Sequence, residues 1–220
     1  VTLVVAIDGP SGSGKSTVAR AVAGELGLEV LDTGAMYRAV TLAAIERDVP
    51  LDDGAACAAV ARGSEISLEH GVTCLDGRDV SAEIRGPIVT NAVSTVAAHP
   101  PVREVLVAEQ RAWVERHRGG VVEGRDIGTV VFPEATVKVF LVATDEERAR
   151  RRQRDELAAD RSIAVEDVKA ALDRRDALDS RRPVSPLRAA ADAIMIDTTH
   201  LDVAAVVADV VARARAAEAS

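Results

Sequence analysis

Eight residues near the start of the chain, Gly9-Pro10-Ser11-Gly12-Ser13-Gly14-Lys15-Ser16, have the types and spacing of a GxxxxGK[ST] loop. Glycines let the backbone curl so that successive N–H groups point at phosphate oxygens, and a helix N-terminus beyond adds its positive dipole end. The lysine of such a loop reaches β- and γ-phosphates, and the hydroxyl after it suits Mg²⁺. Gly9 to Ser16, with Thr17 next along the helix, is therefore the expected ATP site. Mg²⁺ at Ser16, held largely through water, is the expected cofactor. The context supports the motif: Leu3–Ile7 reads as a buried strand, and Lys15–Leu26 as a helix with Val18, Ala19, Val22 and Leu26 on one face.

Three further clusters carry chemistry. In open α/β sheets ligands bind at the carboxyl ends of strands. Leu31-Asp32-Thr33-Gly34-Ala35-Met36-Tyr37-Arg38 leaves the second expected strand, so Tyr37 and Arg38 lie near that edge, and with a helix starting at about Ala35, Thr33 and Arg38 can both face an acceptor; a core tyrosine and a solvated arginine are the alternative. Gly124-Arg125-Asp126 leaves the third long strand by the same logic. Arg175, Asp179 and Arg182 stand at i, i+4 and i+7, on one helix face. Two guanidiniums flanking a carboxylate suit a sugar-phosphate, but a surface ion-pair ladder has the same spacing, and spacing does not choose between them. Arg148, Arg151 and Arg152 share a face of the charged segment 145–160. They suit a lid closing over a transferring phosphoryl group, or else a solvated charged helix.

The elements that must position these residues alternate. Strands are expected at 3–7, 29–31, 120–123, 136–141 and 193–197, with helices at 15–26, 35–47, 101–118, 145–157, 165–179 and 203–217. That rhythm predicts an α/β fold with a parallel sheet covered by helices on both faces. Ile66–Glu69 and Val72–Leu75, joined by His70-Gly71 and followed by Asp76-Gly77, break the rhythm as a small antiparallel meander. Residues 63–86 are read as an appended lobe without a core of its own.

Composition narrows the classes. The chain has 220 residues and a net charge of −8, which argues against a general nucleic-acid binder. One Trp, one Tyr and two Phe leave the core to Val, Ala, Leu and Ile, as suits strands buried on both faces. Cys57 and Cys74 form no metal or CxxC spacing and read as reduced thiols. The apolar start runs straight into the glycine loop and reads as a strand, not a leader, and no apolar run approaches the ~20 residues of a membrane span. A monomeric cytoplasmic protein with small-molecule partners, and neither nucleic acid nor membrane among them, is the expectation. No NKxD guanine reader occurs, and the acids after Gly120-Gly-Val-Val sit only at the strand end, so small-molecule and nucleotide kinases remain. A nucleotide sensor without transfer activity is the alternative class, although it has no use for the further arginine clusters.

GPSGSGKS, LDTGAMYR, AEIR at 82–85, VREVLVAEQR at 102–111, EGRDIGTVVFPEA at 123–135, EERARRR at 146–152 and RRDALDSRRPVSPL at 174–187 together resemble bacterial cytidylate kinases. The resemblance runs through nearly the whole chain in the family's order. It implies a P-loop NTPase-type five-stranded parallel sheet, a lid at about 145–162, and a monophosphate-binding region at about 35–118, all within one domain. The meander at 63–86 would be that region's insert. Carried over by position, it implies that Ser94, Arg103 and Asp126 read cytosine and that Arg175 and Asp179 hold the ribose. Arg38, Arg125 and Arg182 would hold the acceptor phosphate, with Thr33, Tyr37 and Gly124 lining the site. Lys15, Arg125, Arg151, Arg152 and Arg182 are then the expected catalytic residues, and CMP or dCMP the acceptor of phosphate from ATP. Thr33 and Glu123 stand where the family often has Ser and Asp, both conservative exchanges.

Overall fold

The computed structural model describes residues 2–218. Along the chain, β1 (Leu3–Asp8), α1 (Lys15–Leu26), β2 (Val30–Asp32), α2 (Thr33–Glu46) and α3 (Gly54–Arg62) come first. Three short strands follow, β3 (Ile66–Glu69), β4 (Val72–Leu75) and β5 (Arg78–Asp79), then α4 (Pro87–Ala98) and α5 (Pro100–His117). The remainder is β6 (Gly119–Gly124), β7 (Val137–Val142), α6 (Asp145–Ala158), α7 (Val165–Ser180), β8 (Ile194–Asp197) and α8 (Val203–Glu218).

The main sheet has the order β2-β6-β1-β7-β8, with every neighbouring pair parallel. β1 and β6 lie at or beside its centre and are buried throughout. Because side chains alternate along a strand, β1 divides its residues between two cores. Val4 and Ala6 pack with Leu31 and Val122 under α2–α5, while Leu3, Val5 and Ile7 pack with Val121, Val139 and Leu141 under α1 and α8. The five-stranded parallel sheet with helices on both faces is thus as expected. Its register aligns Asp8 with Gly124 and Asp32 with Glu123 at one carboxyl edge.

Differences lie in the helices. α2 begins at Thr33, two residues before the expected start, because the Asp32 side chain caps it by accepting from the Ala35 N–H at 2.9 Å. α3 and α4 were not anticipated. α4 is rich in β-branched residues, which have low helix propensity, and its helical state is carried by burial of Val89, Val93, Val96 and Ala97 along one face. α7 ends at Ser180, so Arg182 is not on its face as the i, i+7 spacing suggested. Pro183 follows it and disfavours helical backbone at the residue before.

β3, β4 and β5 form an antiparallel sheet whose two turns, His70-Gly71 and Asp76-Gly77, hold positive φ at both central residues. That geometry matches the twist of a tight hairpin. Its buried Leu75, with Val80 and Ile84 just beyond, belongs to the same core as α2, α4 and α5.

Candidate functional site

A cleft of about 700 Å³ opens at the carboxyl edge of the sheet. Every residue expected at a site lines it except Arg148 of the charged segment and, in the glycine loop, Gly9, Pro10 and Ser13. Those three shape the loop from behind. Gly9 has φ +147°, and a Cβ there would sit 2.2 Å from the Leu141 carbonyl oxygen, so glycine is required. Ser13 is fully buried, and the Pro10 carbonyl accepts from Lys15 Nζ at 2.6 Å. Gly14, with φ +90°, precedes α1 without a side-chain cap, which leaves the helix N-terminus open for an anion.

Lys15 is buried, and desolvation together with the Arg125 charge pushes its pKa down to about 7, against the pull of Glu123. Ser16 Oγ donates to Glu123 Oε2 at 2.8 Å, and burial with the nearby Asp32 charge raises Glu123 to about 7. A hydroxyl beside a carboxylate is a hard-oxygen donor pair of the kind Mg²⁺ takes together with phosphate oxygens. The residues at Ser16 fit that ion.

Beside Glu123, Thr33 Oγ1 donates to the Glu123 carbonyl at 2.7 Å, and Arg38 pairs with Asp32 at 2.9 Å. Burial would raise Asp32, but Arg38, the Ala35 N–H and Arg85 together hold it below the usual carboxylate range. Tyr37 is both buried and cleft-lining, with the Arg103 guanidinium 5.6 Å above its ring. Burial pushes its phenol up to about 12.

Asp179 is the hub of a second group of cleft residues. It accepts from Arg125 Nε at 3.1 Å, from Ser94 Oγ at 3.1 Å, and from Arg182. Burial opposes its ionisation, yet Arg125, Arg182 and Arg175 hold it below the ordinary value. Arg103 and Asp126 form a second buried pair, and here burial prevails and the Asp126 carboxyl is raised. Arg175 is pushed down to about 9 by burial and by the charge of Arg125. The Nε atoms of Arg38, Arg175 and Arg182 are buried without an acceptor. Positive charge held this way in a cleft calls for an anionic ligand.

The arginines of the charged segment divide. Arg148 does not line the cleft: it is buried, bonds Asp176, and donates to the Ser11 carbonyl at 3.0 Å and to Asp145 at 2.6 Å. The three share a face of α6, as their spacing implies, but the expectation that Arg148 reaches the cleft is corrected, because Asp176 on α7 draws it inward. Arg151 donates to Thr198 Oγ1 at 2.9 Å and to its carbonyl at 2.7 Å, and Arg152 pairs with Glu156 at 2.6 Å. Both line the cleft.

Sequence reasoning assigned no role to several other lining residues, among them Arg20, Arg85, Glu123 and Arg161. Glu123 was visible as an acid at a strand end, whereas Arg161 lies beyond α6 and no periodicity marks it. Asp8 was likewise passed over. Its buried carboxylate accepts the Ile127 and Gly128 N–H groups at 2.8 Å each, just after Asp126.

A family model described as cytidylate kinase matches residues 5–216. A cytidylate kinase of Nocardia farcinica (strain IFM 10152) is 52% identical over 203 residues, covering 90% of this chain and 88% of the relative. One of Geobacillus kaustophilus (strain HTA426) is 51% identical over 208 residues, covering 92% of each. A bifunctional pantoate ligase/cytidylate kinase of Synechococcus sp. (strain JA-2-3B'a(2-13)) is 50% identical over 205 residues, but this chain spans only 38% of its length. Among solved structures, a gluconokinase from Sinorhizobium meliloti 1021 aligns over 99% of this chain and 94% of its own, with a TM-score of 0.52 at 15% identity. That likeness concerns the fold.

Proposed function

Because the chain belongs to the cytidylate kinase family, we propose that it transfers the γ-phosphoryl group of ATP to CMP, and to dCMP, giving ADP and CDP or dCDP. The observation that carries the reading is the arrangement around Asp179. One buried carboxylate gathers Arg125, Arg182 and Ser94 in the cleft that Lys15 also lines, and the buried Arg103–Asp126 pair lines it too.

An acceptor phosphate has its second pKa near 6, so at neutral pH it is already a nucleophile. Its oxygen attacks the γ-phosphorus, the bond from phosphorus to the β–γ bridging oxygen breaks, and ADP leaves. No general base is needed, in keeping with the scarcity of free carboxylates around the acceptor wall. Lys15 and the backbone of Gly9–Thr17 hold the donor, while Arg38, Arg125 and Arg182 hold the acceptor phosphate. Arg151 and Arg152 neutralise the group in flight. Ser16, with Glu123 through water, would hold Mg²⁺, which when bound offsets phosphate charge. Arg175 and Asp179 serve the ribose. Ser94, Arg103 and Asp126 serve the base, with Thr33, Tyr37 and Gly124 completing the wall.

We assign residues 35–118 to monophosphate binding, with 63–86 as its insert, and 145–162 to a lid. Two free thiols, Cys57 and Cys74, suit a reducing compartment, and no helix among the described residues is long and apolar enough to cross a membrane. We infer a monomer acting in the cytoplasm in pyrimidine nucleotide metabolism, with small molecules and not nucleic acid as partners.

ADP production with Mg-ATP against CMP, dCMP, UMP, AMP, GMP and shikimate tests the reading. Turnover with CMP and dCMP alone is expected; a different acceptor would overturn the base-reading assignments.

A further inference from the structure

Glu156 lies near the end of α6 with its side chain only 8% exposed. Each of its carboxylate oxygens serves a different arginine: Oε1 pairs with Arg152 Nη2 at 2.6 Å, and Oε2 accepts from Arg161 Nε at 2.5 Å. Both arginines line the cleft, whereas Glu156 does not. Surface ladders in the same chain look different. In the Arg213–Asp209 pair, for example, both side chains are nearly half exposed, and such pairs contribute little.

The chain reversal after α6 has its own supports. The Arg161 N–H donates to the Glu156 carbonyl at 2.9 Å, and Gln153 Nε2 donates to the Ile163 carbonyl at 2.9 Å. Ile163 packs on Ala149, Val168 and Leu172. The backbone is therefore anchored without the Glu156 carboxylate. What that carboxylate adds is the orientation of two guanidiniums that would otherwise repel each other and turn to solvent.

We propose that Glu156 is a positioning residue that assembles Arg152 and Arg161 into one clamp for the transferring phosphoryl group, which gives Arg161 a role alongside Arg152. Donors aimed in advance at developing charge need no reorganisation when the charge arrives. The carboxylate makes the pair affordable before a substrate binds and leaves the cluster with one net positive charge for it. The proposal rests on the reading that phosphoryl transfer to CMP takes place in this cleft.

Steady-state kinetics of the full chain test it, with Glu156→Gln, Glu156→Asp, the double variant Arg152→Ala/Arg161→Ala, and that double variant carrying Glu156→Gln. The expected result is a kcat about tenfold lower in E156Q with KM for CMP within about twofold, and partial recovery in E156D. In the double-alanine background, E156Q should lower kcat no further, since its effect passes through those arginines. An unchanged or raised kcat in E156Q overturns the clamp, the latter by making Glu156 a restraint on the arginines. An equal loss in the double-alanine background also overturns it, because a general support of the fold would act there too. Absence of CMP turnover in the unsubstituted chain would overturn the functional reading and the clamp's task with it, whereas intact turnover with an unaffected E156Q overturns the clamp alone.

Discussion

Asp176 accepts the backbone N–H of Ser11 at 3.3 Å, across 165 residues of sequence, while Arg148, bonded to the same carboxylate, donates to the carbonyl of Ser11 at 3.0 Å. One residue of the phosphate-binding loop is thereby gripped at both its polar backbone groups by the two helices that follow β7. Asp176→Asn keeps the shape and removes the charge facing Arg148. Its expected effect is a rise of about fivefold in KM for ATP, the equivalent of about 1 kcal/mol, with KM for CMP unchanged. Equal shifts in both constants would show that the contact does not act through the loop.

Arg103 and Asp126 are each more than nine-tenths buried. Removing one partner leaves the other charge uncompensated, which costs about 3–5 kcal/mol. Arg103→Met should lower stability to urea by that order and raise KM for CMP. Retained stability would mean that water reaches Asp126 once the guanidinium is gone.

Asp8 yields a pH dependence of known sign. Burial raises its pKa to about 6, against the opposing Gly128 and Ile127 N–H groups, from 3.8. A carboxyl with a raised folded-state pKa contributes stability that is complete below the unfolded value and is lost as pH rises through the folded one. Relative to Asp8→Asn, the unsubstituted chain should therefore lose about 2 kcal/mol of stability between pH 4.5 and pH 7. Urea titrations of both proteins at the two pH values measure the difference; a constant gap would place the carboxyl at its ordinary pKa.

Gly124 has no room for a methyl group. A Cβ there would stand 2.6 Å from Ile127 Cδ1 and 2.8 Å from Thr33 Oγ1. Ile127 is fully buried and Thr33 is bonded to the Glu123 carbonyl, so neither yields easily. Gly124→Ala should cost about 1–3 kcal/mol in stability and weaken CMP binding. Unaltered unfolding and an unaltered KM would show that the β6 exit relaxes freely.

Features of the site that are local in the chain were legible in its sequence. Gly9–Ser16 carries its geometry within eight residues, the buried β1 is a plain apolar run, and β6 shows as a Val-Val pair between glycines and an acid. Contacts such as Asp8 with Ile127 and Gly128, or Ser94 with Asp179, join segments that only the strand order brings together. Spacing cannot announce them, and Ser94 and Arg103 were singled out by resemblance alone. Arg148 shows the converse, since its periodicity pointed to the cleft while an acid on another helix drew it away. α4 was missed because packing, not propensity, makes it helical, and α3 because a nine-residue alanine-rich run gives little periodic signal, although Asp53 caps it with bonds to the Ala55 and Ala56 N–H groups.

The small sheet of β3–β5 shares Leu75, and the turn after it Val80 and Ile84, with the core beneath α2 and α4, so it is not a transplantable module. Exchanging residues 63–86 for a relative's version would change the core that they share with Tyr37 and Val93 as well as the surface above. Any chimera built at those boundaries has to carry the facing residues of α2 and α4 with it. With residues 63–86 as the proposed monophosphate-binding insert, acceptor preference would be inherited as a packed block, and the smallest unit that could be engineered independently would be the block rather than the loop.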